Sequence, residues 1–295
     1  MKKIIELLEK KSVLVSDGAW GTLLQSKGLK PGECPELWNL DRPDDVFGVA
    51  KGYIDAGADM TQTNSFGANR FKLEFFGLGD QLEAINVAAA QLSRKAAGPD
   101  KHVLGSIGPT GKLLLMGDVS EEELFDAFKE QAIALEKGGA SVACIETMSD
   151  VDEACLAIKA VKQNTDLEII STFTFEKTLN AGYKTMMGIG PTDVVVPCME
   201  AGADIIGVNC GNGFERMIEI VAEMREVTSL PILVHANAGM PENINGVDVF
   251  PDTPEMMADN VASLVHAGAN IIGGCCGTTP AHIRAIKNAV ESLKQ

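Results

Sequence analysis

The stretch AGADIIGVNC, residues 201–210, joins the end of a helix-like segment to a short apolar run that finishes on Asn and Cys. Related tetrapeptides precede three other apolar runs: AGAD at 56–59, GGAS at 138–141 and AGAN at 267–270. The second residue is Gly in all four, and a left-handed helix C-cap favours a residue without a Cβ atom. The repetition predicts one helix-to-strand joint that is used four times along the chain.

Eight short apolar runs, rich in β-branched residues, alternate with helix-like segments. They are Val13–Asp17, Asp59–Ser65, Val103–Ile107, Val142–Thr147, Glu168–Thr174, Ile205–Cys210, Ile232–Asn237 and Asn270–Cys275. Buried parallel strands show such continuous apolar patterns, and their alternation with helices indicates βαβ units. The pattern predicts an α/β fold: residues 1–295 form a single (β/α)8 TIM barrel domain with the active site at the C-terminal ends of the strands. An open doubly wound sheet is the alternative.

The charge balance excludes some partners. With 25 Lys and Arg against 41 Asp and Glu, the net charge is −16, which predicts repulsion from nucleic acid and from anionic membranes. Charged residues interrupt the apolar positions of residues 1–15, so no signal-peptide core is present, and no apolar run is long enough to span a bilayer. We therefore expect a cytoplasmic protein whose seven cysteines are thiols, metal ligands or core residues.

Three cysteines fall at predicted C-terminal strand ends: Cys210 after the sixth strand, and Cys275 and Cys276 after the eighth. These strands are near neighbours in a barrel, so the three sulfurs are expected to converge. Soft thiolates suit Zn²⁺, and three protein ligands leave a fourth position open for chemistry. A metal-free barrel with buried cysteines is the alternative, and burial is our interpretation for the other four: Cys34, Cys144, Cys155 and Cys198.

A zinc ion held by three thiolates carries net negative charge, so it is poorly suited to making hydroxide. It can instead bind an incoming thiol and hold it as the thiolate, although a free thiol with a pKa of about 8.5 is mostly protonated at neutral pH. The pattern therefore predicts methyl transfer to a substrate sulfur. His235 also lies near a strand end, and we expect it to be a neutral core residue, not a ligand.

Several motifs extend over nearly the whole chain. They are DGAWGT (17–22), DMTQTNSFGANRFKL (59–73), GSIGPTG (105–111), IETMSD (145–150), GVNC (207–210), NAGMP (237–241) and GGCCGTTPAHI (273–283). With these motifs the sequence resembles the homocysteine S-methyltransferase family, and most closely the homocysteine-binding module of its cobalamin-dependent methionine synthase branch. The most specific motif is GGCCGTTPAHI with GVNC upstream at this spacing.

The resemblance implies a (β/α)8 barrel that holds one zinc ion on Cys210, Cys275 and Cys276, with the homocysteine sulfur at the fourth position. Asn237 is the expected occupant of that position when substrate is absent.

The resemblance also implies where the amino-acid part of the substrate lies. Asp17 and Gly18 are placed where backbone N–H groups meet the substrate carboxylate, and Glu146 is placed at the substrate ammonium. Asn209 and Ser149 are further candidates for substrate binding. The alternatives are a simple βα turn at the first two residues and a barrel ion pair at Glu146.

The methyl donor is expected to come from another protein, because methionine synthases of this branch carry folate, cobalamin and activation modules that this chain has no room for. DGAWGT and ETMSD look more like the cobalamin-dependent branch, which favours a methylated corrinoid protein acting in trans. The alternatives are another small thiol or a selenol as acceptor, betaine or S-methylmethionine as donor, and a zinc-binding scaffold without turnover.

Local signals complete the prediction. Ser120 with Glu123 predicts a capping box, and Thr279-Pro280 predicts the start of the last helix. Two polar, Gly-containing segments, Glu176–Pro191 and Gly239–Pro254, are predicted to be extended loops at the C-terminal face. The loops with Trp20, Trp38 and Met186-Met187 are expected to shape the surface that meets the donor.

Overall fold

The computed structural model describes residues 2–179, 182–244 and 247–293, and its main feature is a ring of eight parallel strands. The strands are β1 Leu14–Val15, β2 Met60–Gln62, β3 His102–Ile107, β4 Val142–Met148, β5 Glu168–Phe173, β6 Ile205–Asn209, β7 Ile232–Ala236 and β8 Ile271–Gly274. Each strand from β2 to β7 pairs in parallel with the next in chain order, and β8 pairs in parallel with β1. The predicted (β/α)8 architecture is confirmed, with strands somewhat shorter than predicted.

The seam between β1 and β2 is closed by Asp59. Its backbone N–H donates to the carbonyl of Val15 at 2.7 Å, and its carboxylate accepts the backbone N–H of Val15 at 3.0 Å. β1 and β2 lie at the two ends of the eight-strand order, so this pair of hydrogen bonds closes the ring, whereas the two end strands of an open sheet do not meet. The open-sheet alternative is excluded.

Helices surround the ring, and those that follow the strands cover its outer face. They are α1 Ile4–Leu8, α2 Gly21–Ser26, α3 Trp38–Asp41, α4 Pro43–Asp55, α5 Arg70–Phe75, α6 Leu82–Ala97, α7 Glu121–Gly138, α8 Val151–Asn164, α9 Val195–Ala201, α10 Phe214–Arg225, α11 Pro254–Ala267 and α12 Pro280–Ser292. The capping box of Ser120 and Glu123 opens α7, and Pro280 lies in the first turn of α12. Both predicted helix starts are confirmed.

The four repeated tetrapeptides form the same joint. Their glycines have φ angles of 104° at Gly57, 102° at Gly139, 112° at Gly202 and 116° at Gly268. These values lie in the region that glycine adopts without steric cost, directly after α4, α7, α9 and α11. The predicted left-handed helix ends are confirmed.

The fourth residue of each tetrapeptide makes a reciprocal pair of hydrogen bonds with the preceding odd-numbered strand. Asp204 is typical: its backbone N–H donates to the carbonyl of Ile169 at 2.9 Å, and its carboxylate accepts the Ile169 N–H at 2.9 Å. The same pairing joins Asp59 to Val15, Ser141 to Val103 and Asn270 to Ile232. The repeat thus ends on Asp, Ser or Asn because the joint needs a short side chain with an acceptor oxygen.

The barrel interior has an apolar lower part and a polar upper part. Every strand contributes an apolar side chain to the lower part, and Ile4 of α1 closes it from below. The carboxylate of Glu168 caps α1 by accepting the backbone N–H groups of Ile4 and Ile5. The upper part contains buried polar side chains from consecutive strands: Gln62, Ser106, Glu146, Thr172 and Asn209. Buried polar groups need partners, so this layer is where binding chemistry is expected.

The two long segments predicted to be loops each contain a short antiparallel hairpin. Glu176–Lys177 pairs with Tyr183–Lys184, and Glu242–Ile244 pairs with Val247–Val249. The prediction was wrong here because two- and three-residue strands leave little periodicity for a sequence pattern to show. Residues 180, 181, 245 and 246 of these segments lie outside the described residues.

Candidate metal and substrate site

Three cysteine sulfurs meet at the C-terminal mouth of the barrel. The Sγ atoms of Cys210, Cys275 and Cys276 all lie within 4.8 Å of one another, and those of Cys210 and Cys276 are 4.0 Å apart. All three residues are partly exposed. The structure therefore brings together the three residues that the sequence singled out, at a point that solvent and ligands can reach.

The backbone at these cysteines is held by the neighbouring strand β7. The N–H of Cys210 donates to the carbonyl of His235 at 2.9 Å, and the N–H of Cys275 donates to that of Ala236 at 2.6 Å. Cys210 has a φ angle of 59°, which is uncommon for a residue with a Cβ atom, and Gly277 beyond the pair has a φ angle of 81°. These two left-handed turns aim the sulfurs at one point.

The three thiols form hydrogen bonds with one another, which changes the pKa of each. Hydrogen bonds from Cys275, and to a smaller extent from Cys276, hold the pKa of Cys210 far below its usual range. The pKa of Cys275 is raised by its hydrogen bonds to Cys210 and Cys276. Negative charge is therefore most stable on Cys210. A cluster that already favours one thiolate is a donor set for a soft metal ion.

Asn237 and His235 lie beside the cluster and each has a buried polar atom without a hydrogen-bond partner among the described residues. These atoms are Oδ1 of Asn237 and Nε2 of His235. Burial lowers the pKa of His235 to about 4, so its imidazole is neutral at neutral pH, as predicted. The free oxygen of Asn237 is available to a ligand at the mouth.

Glu146 is the buried carboxylate of the mouth. It accepts hydrogen bonds from Nε2 of Gln62 at 2.8 Å and from the hydroxyl of Ser106. Burial raises its pKa to about 7, although these hydrogen bonds act in the opposite direction. Among the described residues, no Lys, Arg or His side chain forms an ion pair with Glu146, so the barrel ion pair considered from sequence is not formed there.

Asp17 and Gly18 follow β1 and lie beside the loop that carries Cys275 and Cys276. A Cβ atom on Gly18 would lie 2.6 Å from Oγ1 of Thr278, so only glycine permits this approach. The same Oγ1 accepts the N–H of Ala19 at 3.0 Å and donates to the carbonyl of Cys275 at 2.8 Å. Thr278 thus joins the predicted substrate loop to the loop that carries Cys275 and Cys276, a role that was not predicted from the sequence.

The two weaker candidates differ in position. Ser149 is partly exposed just beyond β4, whereas Asn209 is buried at the end of β6. The amide of Asn209 is engaged by protein groups, Thr147 and Thr172. Gln62 and Ser106 were not predicted as site residues, although a polar residue inside an otherwise apolar strand is a signal that could have identified them.

Loops around the mouth carry exposed apolar side chains, but Trp38 is not among them. Its side chain is only 6% exposed and packs under the guanidinium of Arg42, 3.8 Å from the ring centroid, so the indole itself presents little surface to a donor. Met186 is 87% exposed. Among the other cysteines, Cys34, Cys144 and Cys198 are buried as predicted, whereas Cys155 is partly exposed.

These features define a class of protein: a (β/α)8 barrel with a cysteine cluster able to hold a metal ion and a buried carboxylate at the same mouth. The model of the family described as homocysteine S-methyltransferase matches residues 14–290. The chain belongs to this family. No helix within the described residues combines the length and apolar character needed to cross a membrane.

Relatives of known sequence and structure agree with this assignment. The chain is 31% identical over 302 residues to a methionine synthase of Mycobacterium tuberculosis and 32% identical over 298 residues to one of Mycobacterium leprae. These matches cover 96% and 94% of the chain, but it spans only 25% and 24% of the length of these relatives. The metallated form of the homocysteine methyltransferase MmuM from Escherichia coli is similar in structure, with a TM-score of 0.78 and 27% identity over 96% of this chain and 98% of that one.

Proposed function

We propose that the protein is a zinc-dependent S-methyltransferase that methylates homocysteine to methionine, with a methylcorrinoid protein acting in trans as the donor. The observation that carries this proposal is the convergence of Cys210, Cys275 and Cys276 at the barrel mouth. Family membership and the similarity to a metallated homocysteine methyltransferase support the reaction and the presence of a metal.

The cysteine geometry fits zinc. Four ligands placed tetrahedrally about Zn²⁺ at Zn–S distances of about 2.3 Å have sulfur–sulfur separations of about 3.8 Å. The 4.0 Å between Cys210 and Cys276 is close to that value, and the limit of 4.8 Å for all three pairs needs only small side-chain adjustments. When bound, the ion would lower the pKa of a substrate thiol at its open position and keep the sulfur nucleophilic.

The protein's own residues would place the rest of the substrate. Glu146 offers a carboxylate to the ammonium group, and its pKa of about 7 means that it is substantially ionised at neutral pH. Asp17 and Gly18 lie on the loop whose backbone is proposed to meet the substrate carboxylate. Asn237 has a free side-chain oxygen, which is consistent with its holding the open metal position before substrate arrives.

The donor assignment rests on the resemblance to methionine synthases, of which this chain spans about a quarter. Exposed apolar side chains on the loops after β3, β5 and β7 would give a protein donor a surface to approach; they include Leu115, Met116, Met186 and Met240. The substrate thiolate would then attack the methyl carbon, so that a sulfur–carbon bond forms while the cobalt–carbon bond of the donor breaks and the corrinoid leaves with the bonding electron pair.

The test is to measure zinc content under reducing conditions and to record zinc-edge absorption spectra with and without L-homocysteine. We expect one zinc ion per chain and a rise from three to four sulfur ligands on adding homocysteine. Absence of zinc, or a sulfur count that homocysteine leaves unchanged, would refute the mechanism. If homocysteine adds the fourth sulfur ligand, turnover assays with methylcobalamin, betaine and S-methylmethionine identify the donor class.

A further inference from the structure

Strand β4 contains an irregularity just where its functional side chain lies. Ile145 pairs with Ser171 and Met148 pairs with Phe173, so two residues of β4, Glu146 and Thr147, lie opposite the single residue Thr172. This two-against-one arrangement is a β-bulge, a device that changes the direction of a side chain near the end of a strand. The bulge therefore controls where the Glu146 carboxylate points.

The bulge requires an uncommon backbone conformation. Thr147 has a φ angle of 60°, and Thr147 and Cys210 are the only non-glycine residues of the described chain with positive φ. A β-branched residue in this region is a genuine outlier that persists only when surrounding contacts hold it in place. One of the two outliers directly follows Glu146, and the other is a cysteine of the metal cluster.

The side chain of Asn209 supplies the contacts that hold Thr147. Its Oδ1 accepts the backbone N–H of Thr147 at 2.8 Å, and its Nδ2 donates to Oγ1 of Thr147 at 2.7 Å. The same Oδ1 accepts the hydroxyl of Thr172 at 2.7 Å. The amide of Asn209 thus replaces the ladder hydrogen bond that the bulge removes, and it connects the ends of β4, β5 and β6.

We propose that Asn209 is a positioning residue that fixes the Glu146 carboxylate relative to the Cys210 sulfur, and thereby selects thiols that carry an ammonium group at the homocysteine spacing. Asn209 directly precedes Cys210 in the chain, so one residue links the metal cluster to the bulge. Its carbonyl also accepts the hydroxyl of Thr174 at 2.8 Å, which fixes its backbone. The inference rests on the proposed function and replaces direct substrate contact as the role of this side chain.

The experiment compares two thiols on the zinc-loaded protein at pH 8, L-homocysteine and 1-propanethiol, by calorimetry. The second thiol can reach the metal but has no ammonium for Glu146. In Asn209→Ala we expect one zinc ion per chain and an unchanged affinity for 1-propanethiol, with homocysteine bound about tenfold more weakly because the Glu146 carboxylate is no longer held at the position of the ammonium group. Asn164→Ala, which removes a side-chain amide at the end of α8, is the matched control and should change neither affinity.

The Thr147→Gly variant, used as a second background, distinguishes a positioning role of Asn209 from direct contact with the substrate. Thr147→Gly accepts a positive φ at no steric cost, so Asn209→Ala should weaken homocysteine binding clearly less in the Thr147→Gly background than in the native one. Equal losses in both backgrounds would show that Asn209 contacts the substrate itself, and no loss in either would show that it has no role in selection. Both results overturn the proposal.

Two further outcomes have defined meanings. If Asn209→Ala does not fold, Thr172→Val removes one of the same hydrogen bonds with little change of shape, and it should reduce the preference for homocysteine to a smaller extent; an unchanged preference would overturn the proposal. If the unmodified zinc protein binds neither thiol, the proposed function itself has failed.

Discussion

The carboxylate of Asp17 accepts the backbone N–H of Gln62 at 2.7 Å, across the seam where the barrel closes between β1 and β2. The same Oδ2 atom accepts hydrogen bonds from Nε1 of Trp20 and from Oγ1 of Thr61, each at 3.0 Å. Burial raises the pKa of Asp17 to about 6, against the opposing effect of these hydrogen bonds. The first residue of the DGAWGT motif is therefore part of the framework that closes the ring.

Removing this acceptor should destabilise the barrel. Asp17→Ala removes the acceptor of four donors, those of Ser16, Trp20, Thr61 and Gln62, and we expect the free energy of unfolding in urea to fall by about 3 kcal/mol or more. Asp17→Asn keeps one oxygen for these donors and should cost clearly less. Because the substrate carboxylate is proposed to meet backbone groups, Asp17→Asn should also leave homocysteine affinity nearly unchanged; a large loss would instead indicate contact with the side chain.

A second prediction concerns the reciprocal hydrogen bonds between Asp204 and the backbone of Ile169. Asp204→Ala removes the acceptor of the Ile169 N–H and should lower the free energy of unfolding by about 1 kcal/mol. Asp204→Asn should be close to neutral, because Asn270 already performs the same role in the fourth repeat. Urea denaturation of the two variants tests this, and equal losses would contradict the interpretation of the joint.

Homocysteine binding should depend on pH through Glu146. With a pKa of about 7, this carboxyl group is increasingly protonated below neutral pH and then cannot pair with an ammonium group. We expect the ratio of affinities for homocysteine and 1-propanethiol to fall towards tenfold per pH unit below pH 7 and to level off above it. The ratio cancels the ionisation of the two thiols to first order. In Glu146→Gln the ratio should be low and independent of pH.

The same carboxylate should limit stability at high pH. Its folded-state pKa of about 7 exceeds the ordinary value of 4.5, so the folded state binds more protons between these values and loses stability as the pH rises through them. The loss amounts to about 3 kcal/mol once both states are ionised. Glu146→Gln should therefore gain stability relative to the native protein between pH 5 and pH 8 in urea denaturation, and a constant difference over this range would contradict the assignment.

Metal retention should depend on the three clustered cysteines alone. Cys276→Ser should lose most of its zinc during dialysis against a chelator, because one of the three soft ligands is replaced by a poor one. Cys155→Ser, a substitution of a partly exposed cysteine on α8, is the matched control and should retain one zinc ion per chain. Retention of the metal by Cys276→Ser, measured by elemental analysis, would place the ion elsewhere.

Much of the site was predictable because local sequence carries it. Cys210, Cys275 and Cys276 follow apolar strands, and parallel strands in a barrel deliver their C-terminal ends to one face. Glu146 was identified in the same way and lies at the mouth. The role of Asn209 could not be inferred, because its partners, Thr147 and Thr172, are distant in sequence and become neighbours only when β4, β5 and β6 pair.

The amino-acid sequence was sufficient to predict the eight-strand barrel, its four repeated glycine joints and the convergence of three cysteines, because apolar periodicity, helix ends and strand order are local or topological properties. The polar side chains that serve the framework could be identified only in the folded chain. Asp17 closes the barrel seam and Asn209 holds the β4 bulge, while Oδ1 of Asn237 at the mouth has no hydrogen-bond partner among the residues that the structure describes. The physical reason is that a buried polar group's role depends on which partners satisfy its hydrogen bonds, and those partners come from other strands.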